Sequence, residues 1–334
     1  MYFIGTLYYL YKKEKRESLI IYSKKIAEEQ KKPRIWIIFD MIMCSLINGA
    51  LFSEYYDMDF VNRTRKNRKT YITTLYDLKL YDKINNKGYR HIFHDKIKFN
   101  ETFAPYIKRQ WINASEASPD DIINFAKKHS KLMLKGRYGD SGAQVCMYKL
   151  DSDESLCELI PYIKEKKYDI IEEVLINHEK LQYFNETSLN TIRIVTVNNN
   201  GKPDVLTAVL RVGAKGSYVD NMCQGGSSAR IDLETGKLDS PFYAYKTKRC
   251  NNTNDFNAVG YQIPMWEEVK RLVVNAAKVI PQIGIVSWDV AITPDEPVLV
   301  EENESFGASV LQLYYNHEED GLKPRLLSLL GEKI

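Results

Sequence analysis

The sequence predicts an α+β protein with a mainly helical N-terminal region. Apolar residues recur at helical spacing over residues 8–30 and 34–52, whereas the second half contains short β-branched runs joined by tight turns. Antiparallel hairpins combined with packed helices favour an α+β fold over a doubly wound parallel sheet. The 334 residues are 44% hydrophobic and 27% charged, which is typical of a globular protein with about two domains.

Two helices are predicted at the N-terminal end. The first covers residues 8–30, and the second, more buried one covers residues 34–52. Because Asp40, Ser45 and Asn48 interrupt the apolar stretch of the second helix, we expect it to pack inside the protein rather than cross a membrane. A basic run follows at residues 62–69, where a solvated helix end is favoured over a phosphate-binding patch.

The middle of the chain contains a helix start and a strand that leads into glycines. Ser118-Pro119-Asp120-Asp121 is a capping signal and predicts a helix from Ile122 to His129. Leu132 to Leu134 is predicted as a short strand.

The second half alternates strands and one helix. The spacing predicts a hairpin from residues 191–197 and 205–212, turning at Asn198-Asn199-Asn200-Gly201. A helix is predicted over 265–280, with strands at 170–175, 283–292 and 297–301.

Charge and cysteine content limit the function classes. The net charge of +3 is too small to indicate a polyanionic partner, so we expect no nucleic-acid binding. Five cysteines without a C-x-x-C pair are read as reduced thiols. Without an export signal, a cytoplasmic protein with no stable membrane insertion is expected, and the oligomeric state is not predicted.

Three oxygen-bearing side chains near the C-terminal end point to a metal site. Asp289 lies inside a predicted strand, and Glu301 and Asn303 lie two residues apart on the next one. A buried carboxylate needs a partner, and across a hairpin Asp289 and Glu301 can face each other. This set suits Mg²⁺, with Mn²⁺ as a substitute. The alternative is that Asp289 pairs with a core arginine.

A second constellation follows the strand at residues 132–134. Lys135 precedes a glycine-rich segment, from Gly136 to Val145, whose amides could wrap a phosphate. The segment matches neither G-x-x-x-x-G-K-[ST] nor G-x-G-x-x-G, and a plain hairpin turn is an equal alternative.

These parts, in this order, resemble the ATP-grasp superfamily of carboxylate ligases, and more closely its branch associated with sugar-transfer gene clusters. The resemblance covers roughly residues 95–307. It rests on Asp95-Lys96, Leu134-Lys135 with the glycine loop, Ile171-Glu172-Glu173-Val174-Leu175, Asn190-Thr191-Ile192-Arg193, Arg211, Asp220-Asn221 with Gly225-Gly226, Asp289 and Glu301-x-Asn303.

The resemblance implies an ATP-grasp fold, in which two α/β subdomains clasp ATP, and a role for each matching residue. Arg193 and Arg211 would be the catalytic cations, clamping a γ-phosphate, an acyl phosphate or the substrate carboxylate. Asp289, Glu301 and Asn303 would hold magnesium. The implied nucleotide contacts are Lys96 and Lys135 on the phosphates, Gly139, Ser141 and Gly142 in the loop, Glu172, Glu173, Val174 and Leu175 along the adenine, Glu179 on the ribose, and Asn221. Taken from the residues alone, Arg193 could instead pair with Asp289.

The resemblance also implies a domain plan and an activity. Residues 1–94 would form the helical N-terminal region, 95–180 the small lid subdomain and 181–334 the large subdomain with the metal site. The implied activity is an ATP- and Mg²⁺-dependent ligation of a small carboxylic acid, such as a sugar acid or amino acid, to an amine, in polysaccharide or natural-product biosynthesis. The alternative is a catalytically inactive nucleotide-binding regulator or partner-binding protein of polysaccharide assembly.

Overall fold

The computed structural model describes residues 16–139, 144–245, 258–303, 307–308, 310–312 and 320–331. The helices are α1 (Arg16–Gln30), α2 (Arg34–Asn48), α3 (Phe52–Asp57), α4 (Arg65–Thr70), α5 (Thr74–Ile84), α6 (His91–His94), α7 (Lys96–Thr102), α8 (Ala104–Ile107), α9 (Pro119–Ala126), α10 (Asp153–Lys166), α11 (Glu179–Gln182), α12 (Trp266–Ala277) and α13 (Lys323–Leu330). The strands are β1 (Trp111–Asn113), β2 (Lys131–Lys135), β3 (Val145–Lys149), β4 (Ile170–Glu173), β5 (Thr191–Asn199), β6 (Lys202–Val212), β7 (Ser227–Arg230), β8 (Ile285–Ile292) and β9 (Pro297–Asn303).

Helices α1 to α4 surround an N-terminal core that includes Ile37, Met41, Tyr55 and Phe60. Helix α2 is shorter than predicted. It ends at Asn48 because Gly49 adopts a left-handed φ of 69° and its amide donates to the carbonyl of Ser45, which closes the helix. The expectation that α2 is buried is wrong for one of its faces, as described below.

The basic run at residues 62–69 supplies structural crosslinks. The Arg63 side chain is buried and donates to the carbonyl of Met58 at 2.7 Å. Arg68 is also buried and forms a two-pronged ion pair with Asp40 at 2.9 and 2.7 Å. Burying these two guanidinium groups requires such partners, so the prediction of a wholly solvated run is wrong for Arg63 and Arg68.

Helices α5 to α8 connect the N-terminal core to the larger sheet. Asn85, just after α5, accepts from the amides of Gly284 and Ile285 and donates to the carbonyl of Ile285. Phe93 and Phe103 pack edge-on or tilted against one another and against Trp288 of β8. Segment 91–107 therefore shares a core with the strand that carries Asp289.

A smaller antiparallel sheet has the strand order β1-β4-β2-β3. Its buried residues Leu132, Leu134 and Ile171 pack with Leu159 of α10 and Ile122 of α9. Helix α9 begins with the predicted capping box, in which Ser118 and Asp121 bond reciprocally.

The larger antiparallel sheet has the strand order β7-β6-β5-β8-β9. One face packs on α12 and the other on α13, so the central strands are buried on both sides. The predicted hairpin between β5 and β6 turns at Asn200 and Gly201, which both have positive φ (53° and 81°) as a tight hairpin turn requires. The α+β prediction is confirmed. Within the described ranges, no helix has the length and apolarity needed to cross a membrane.

Candidate functional site

The two predicted metal carboxylates face each other in the larger sheet. Asp289 of β8 is the direct partner of Glu301 on β9, and Val290 next to it pairs with Leu299. One residue, Val300, is therefore bulged out beside the acidic pair. Bulges of this kind re-aim side chains near sites. The predicted juxtaposition of Asp289 and Glu301 is confirmed.

Asp289 is buried and fully engaged. Arg193 donates to both of its oxygens, through Nε at 2.9 Å and Nη2 at 2.8 Å. Arg211 Nη1 and Asn303 Nδ2 also donate to Oδ2, at 2.8 and 3.1 Å. Although burial opposes ionisation, the two guanidinium groups hold the pKa of Asp289 well below its usual range. The pairing left open in the sequence, Arg193 with Asp289, is present.

Arg211 links Asp289 to a further buried carboxylate, Asp220. Its Nη2 lies 3.0 Å from Asp220 Oδ1, while the backbone amide of Thr191 donates to Asp220 Oδ2 at 3.1 Å. Burial acts against the charge on Arg211, but the carboxylates of Asp220 and Asp289 raise its pKa. Burial and the nearby Asp289 raise the pKa of Asp220, against the lowering by Arg211.

Glu301 differs from Asp289 in its surroundings. Its side chain is half-buried, and it has no hydrogen bond or ion pair to the residues that the structure describes. Burial and the negative charge of Asp289 raise its pKa, against the attraction of Lys135 and Lys96. A carboxylate held close to another carboxylate, without a cation bonded to it, has the chemistry of a metal ligand.

The oxygen set therefore fits magnesium in part. Glu301 has its oxygens available, whereas Asp289 has both oxygens bonded to arginine, and Asn303 donates its amide to Asp289. Binding a cation at Asp289 requires at least one of these donors to turn away. Among the described residues, no three His, Cys, Asp or Glu side chains cluster as a ready metal site.

Glu172 of β4 is the centre of a second charged network. Lys135 of β2 lies 2.7 Å from it, Arg109 lies 2.9 Å from it, and Asn100 of α7 donates to it at 3.1 Å. Burial favours the neutral acid, but Arg109 and Lys135 outweigh it and lower the pKa of Glu172 to about 2. Glu172 lies on β4, the strand predicted to line the adenine. Its carboxylate holds Lys135 in position.

Sequence reasoning missed Arg109. Besides its contacts with Glu172, it donates to the backbone carbonyls of Leu299 at 2.7 Å and Val300 at 3.0 Å on β9. It therefore ties the smaller sheet to the strand that carries Glu301. The sole sequence signal is an arginine two residues ahead of the apolar pair Trp111-Ile112, which is too common to identify a site.

The start of α7 and the glycine loop contact each other. Lys96 Nζ donates to the carbonyl of Gly139 at 2.6 Å, and Arg137 forms a two-pronged ion pair with Asp95, which also caps α7. Gly139 has a backbone φ of 116°, which residues that carry a side chain rarely adopt. Lys96 and the beginning of the loop are thus brought together, whereas Ser141 and Gly142 lie outside the described residues.

The remaining predicted nucleotide contacts lie at the end of β4, at the start of α11 and at Asn221. Glu173, Val174 and Leu175 are half-buried, and Glu179 is exposed as the first residue of α11. The carbonyl of Asn221 accepts from the amides of Gln224 and Gly226. Their contacts with a nucleotide stay predictions.

The larger sheet of this α+β fold thus carries a pair of facing carboxylates, Asp289 and Glu301. The model of the family "Sugar-transfer associated ATP-grasp" matches residues 66–329, so the chain belongs to this family. The predicted family and ATP-grasp fold are confirmed, and the predicted class of enzyme agrees with them. No curated protein matches the sequence.

Three solved structures are similar to the chain at low sequence identity. The ATP-grasp ligase PsnB with its minimal precursor is 13% identical, over 79% of this chain and 70% of that chain, with a TM-score of 0.44. D-cycloserine synthetase DcsG is 11% identical, over 78% of this chain and 77% of that chain, with a TM-score of 0.47. The D-alanine-D-alanine ligase from Coxiella burnetii is 12% identical, over 66% of this chain and 50% of that chain, with a TM-score of 0.39.

Proposed function

We propose that this protein is an ATP- and Mg²⁺-dependent ligase that joins a carboxylic acid to an amine and releases ADP and phosphate. One observation carries the proposal. The side chain of Glu301 has no hydrogen bond or ion pair among the described residues. It faces Asp289 in a site that also holds Arg193 and Arg211 and lies near Lys96 and Lys135. Fixed cations beside metal-type carboxylates are suited to phosphoryl transfer.

The reaction requires no nucleophilic side chain. An oxygen of the substrate carboxylate attacks the γ-phosphorus of ATP, and the bond to the β,γ-bridging oxygen breaks, which releases ADP and leaves an acyl phosphate. The amine then attacks the acyl carbon, loses a proton and expels phosphate, forming the amide. Because charge develops on the transferring phosphoryl group, the protein contributes mainly by placing positive charge around it.

The chain's own residues divide this work. Lys135, held by Glu172, and Lys96, held at the glycine loop, would carry the phosphates. Arg193 and Arg211 would bind the substrate carboxylate or the acyl phosphate once the metal competes with them for Asp289. Glu301, Asp289 and Asn303 would hold magnesium, which supplies neutralisation of the phosphate charge.

The domain plan predicted from the sequence includes a lid subdomain that could close over the nucleotide. We propose that residues 95–180 act as the lid subdomain and 181–334 as the large subdomain, with 1–94 as a helical addition. The glycine loop at the end of β2 would cover the phosphates and exclude water, because an acyl phosphate hydrolyses if water reaches it.

The family name supports a role in assembling sugar-containing products. We therefore propose a sugar acid or an amino acid as the acid substrate, and cell-surface polysaccharide or related natural-product biosynthesis as the process. The name supports the process more strongly than any particular substrate.

A specific observation favours a second candidate, a nucleotide-binding regulator without catalysis. Both oxygens of Asp289 are already neutralised by arginine, so the site is stable without metal. Such a protein would bind ATP but would not consume it.

The experiment that separates the two candidates measures phosphate release from ATP. The protein is incubated with ATP, magnesium and a panel of uronic acids and amino acids. The ligase predicts release that depends on an acid and an amine and is lost in Glu301→Gln. The matched control is Glu158→Gln, an exposed carboxylate on α10, which should behave as the unmodified protein does. ATP binding without release would favour the regulator.

A further inference from the structure

Helix α2 presents a large apolar face to solvent. Ile35 is 80% exposed, Phe39 62%, Ile47 60% and Trp36 47%. Isolated exposed apolar residues are ordinary, but a contiguous row along one helix marks an interaction surface.

The exposed apolar row is a separate face of α2 and not the margin of the N-terminal core. At 100° per residue, positions 35, 39, 42 and 46 lie along one side of α2, and residues 36, 38, 43 and 47 flank them; all eight are apolar. The opposite side is buried through Ile37, Met41 and Cys44. The helix's one carboxylate, Asp40, points to Arg68 in the interior. The outward face therefore carries neither a polar group nor a negative charge.

The chain that leads into the N-terminal end of α2 is positively charged. Between residues 24 and 34 there are five basic and two acidic residues. Of the two acids, Glu28 lies 4.0 Å from Lys24 and Glu29 accepts from Tyr56, so both are already partnered.

Basic and apolar groups meet at the turn between α1 and α2. Lys32 Nζ lies 5.9 Å from the centre of the Trp36 ring. Arg34 Nη2 donates to the carbonyl of Ile20 at 3.0 Å, which holds the exposed Ile20 and its neighbour Ile21 beside the start of α2. Tryptophan beside lysine is the combination favoured at the boundary between lipid headgroups and acyl chains.

We propose that α2 docks in the plane of an anionic lipid surface, with its apolar face in the headgroup region and residues 31–34 on the acidic headgroups. This inference does not depend on the ligase function. Acidic headgroups complement the basic end of the helix, which a second copy of the chain, carrying the same charge, would not. The contact is peripheral and reversible, since it uses one helix face and a few charges.

Sedimentation of the full-length protein with vesicles tests the proposal. Phosphatidylcholine vesicles with and without phosphatidylglycerol are compared at low and high salt. We expect binding to the mixed vesicles, weakened by salt. The double variant Ile35→Ser/Phe39→Ser should lose at least ~10-fold in binding. Replacing the exposed Lys31 with glutamine should cost about fivefold on the mixed vesicles alone.

A control variant and two further measurements complete the test. Val279→Ser/Leu327→Ser removes two exposed apolar side chains, one just after α12 and one on α13, and should leave vesicle binding unchanged. Unfolding temperatures of all variants check folding. In the unmodified protein, the fluorescence of Trp36, assigned with Trp36→Phe, should shift to the blue on mixed vesicles.

Three results would overturn the proposal. The unmodified protein could fail to sediment with phosphatidylglycerol vesicles, or Ile35→Ser/Phe39→Ser could sediment equally well. The protein could also fail to bind vesicles and form a dimer instead. If Ile35→Ser/Phe39→Ser then converted the dimer to a monomer, a second copy of the chain would cover this face.

Discussion

At the scale of single residues, the site contains two facing carboxylates with opposite properties. Asp289 is tied to Arg193 and Arg211, so its pKa is lowered, while Glu301 has no bonded cation and its pKa is raised by burial and by Asp289. Because two neighbouring carboxylates repel each other, a cation shared between Asp289 and Glu301 would offset the repulsion that Glu301 experiences. We therefore regard Glu301 as the residue most sensitive to metal.

Glu301→Gln should reduce ATP-dependent turnover at least ~100-fold, because phosphate charge is then poorly neutralised. The fold should persist, since the side chain of Glu301 has no hydrogen bond or ion pair to the described residues. Phosphate release and the thermal unfolding midpoint are measured together. Unchanged release from a folded variant would remove Glu301 from the metal site.

Lys135→Ala should raise the dissociation constant for ATP about 10-fold or more, because a charge-assisted contact to phosphate is lost. Lys131→Ala is the matched control, an exposed lysine at the other end of the same strand. Calorimetric titration with ATP compares the two. Equal effects from both substitutions would mean that the nucleotide lies elsewhere.

Arg193→Lys keeps a positive charge but loses the fork that bonds both oxygens of a carboxylate. We expect ATP binding to stay within about threefold and turnover with the acid to fall at least ~10-fold. Calorimetry and phosphate release separate these effects. Weak ATP binding with normal turnover at saturating ATP would place Arg193 on the nucleotide and exclude it as the carboxylate clamp.

At the scale of elements, the two sheets are joined by one buried network. Glu172 on β4 bonds Lys135 on β2 and Arg109, and Arg109 reaches the carbonyls of Leu299 and Val300 on β9. Such a network is costly to break, because removing one charge leaves the others buried without a partner. It sets the position of Lys135 relative to the strand that carries Glu301.

Glu172→Gln should lower the free energy of unfolding by about 3 kcal/mol at neutral pH, since Arg109 and Lys135 lose their counter-charge. The pKa of Glu172 falls from 4.5 to about 2 on folding. Its contribution is therefore complete above pH 4.5 and is lost as the pH falls toward 2. Urea unfolding at pH 7, 4 and 3 should show the difference from the unmodified protein shrinking with acidity. A difference that grows with acidity would contradict the assigned direction.

The sequence predicts elements well where the signal is local. The β5–β6 hairpin follows from β-branched residues and an Asn-Gly turn, and Asp289 inside an apolar strand predicts a charged partner. The pairing of Arg109 with Glu172 joins positions 63 residues apart, so no local pattern reveals it. Helix α2 is apolar on both faces, and periodicity does not state which one packs inward.

At the scale of the whole molecule, two antiparallel sheets and the intervening helices bring the predicted parts to one region. Lys96 and Lys135 come from the glycine-loop side, and Arg193, Arg211, Asp289 and Glu301 come from the larger sheet. The order of the motifs along the chain predicted this arrangement and the family, because an ordered set is far more specific than any member. The path of the chain through α5 to α8 and the contacts of Arg109 could not be predicted, since they depend on packing between segments that are far apart in the sequence.

The most direct test of the ligase uses hydroxylamine as the amine. With magnesium, ATP and the panel of uronic acids and amino acids, a productive acid should give ADP, phosphate and hydroxamate in equal amounts. Glu158→Gln should retain this activity and Glu301→Gln should lose it. Formation of AMP and pyrophosphate, hydroxamate formation that persists in Glu301→Gln, or ATP binding with no hydroxamate from any acid would contradict an acyl-phosphate ligase centred on Asp289 and Glu301.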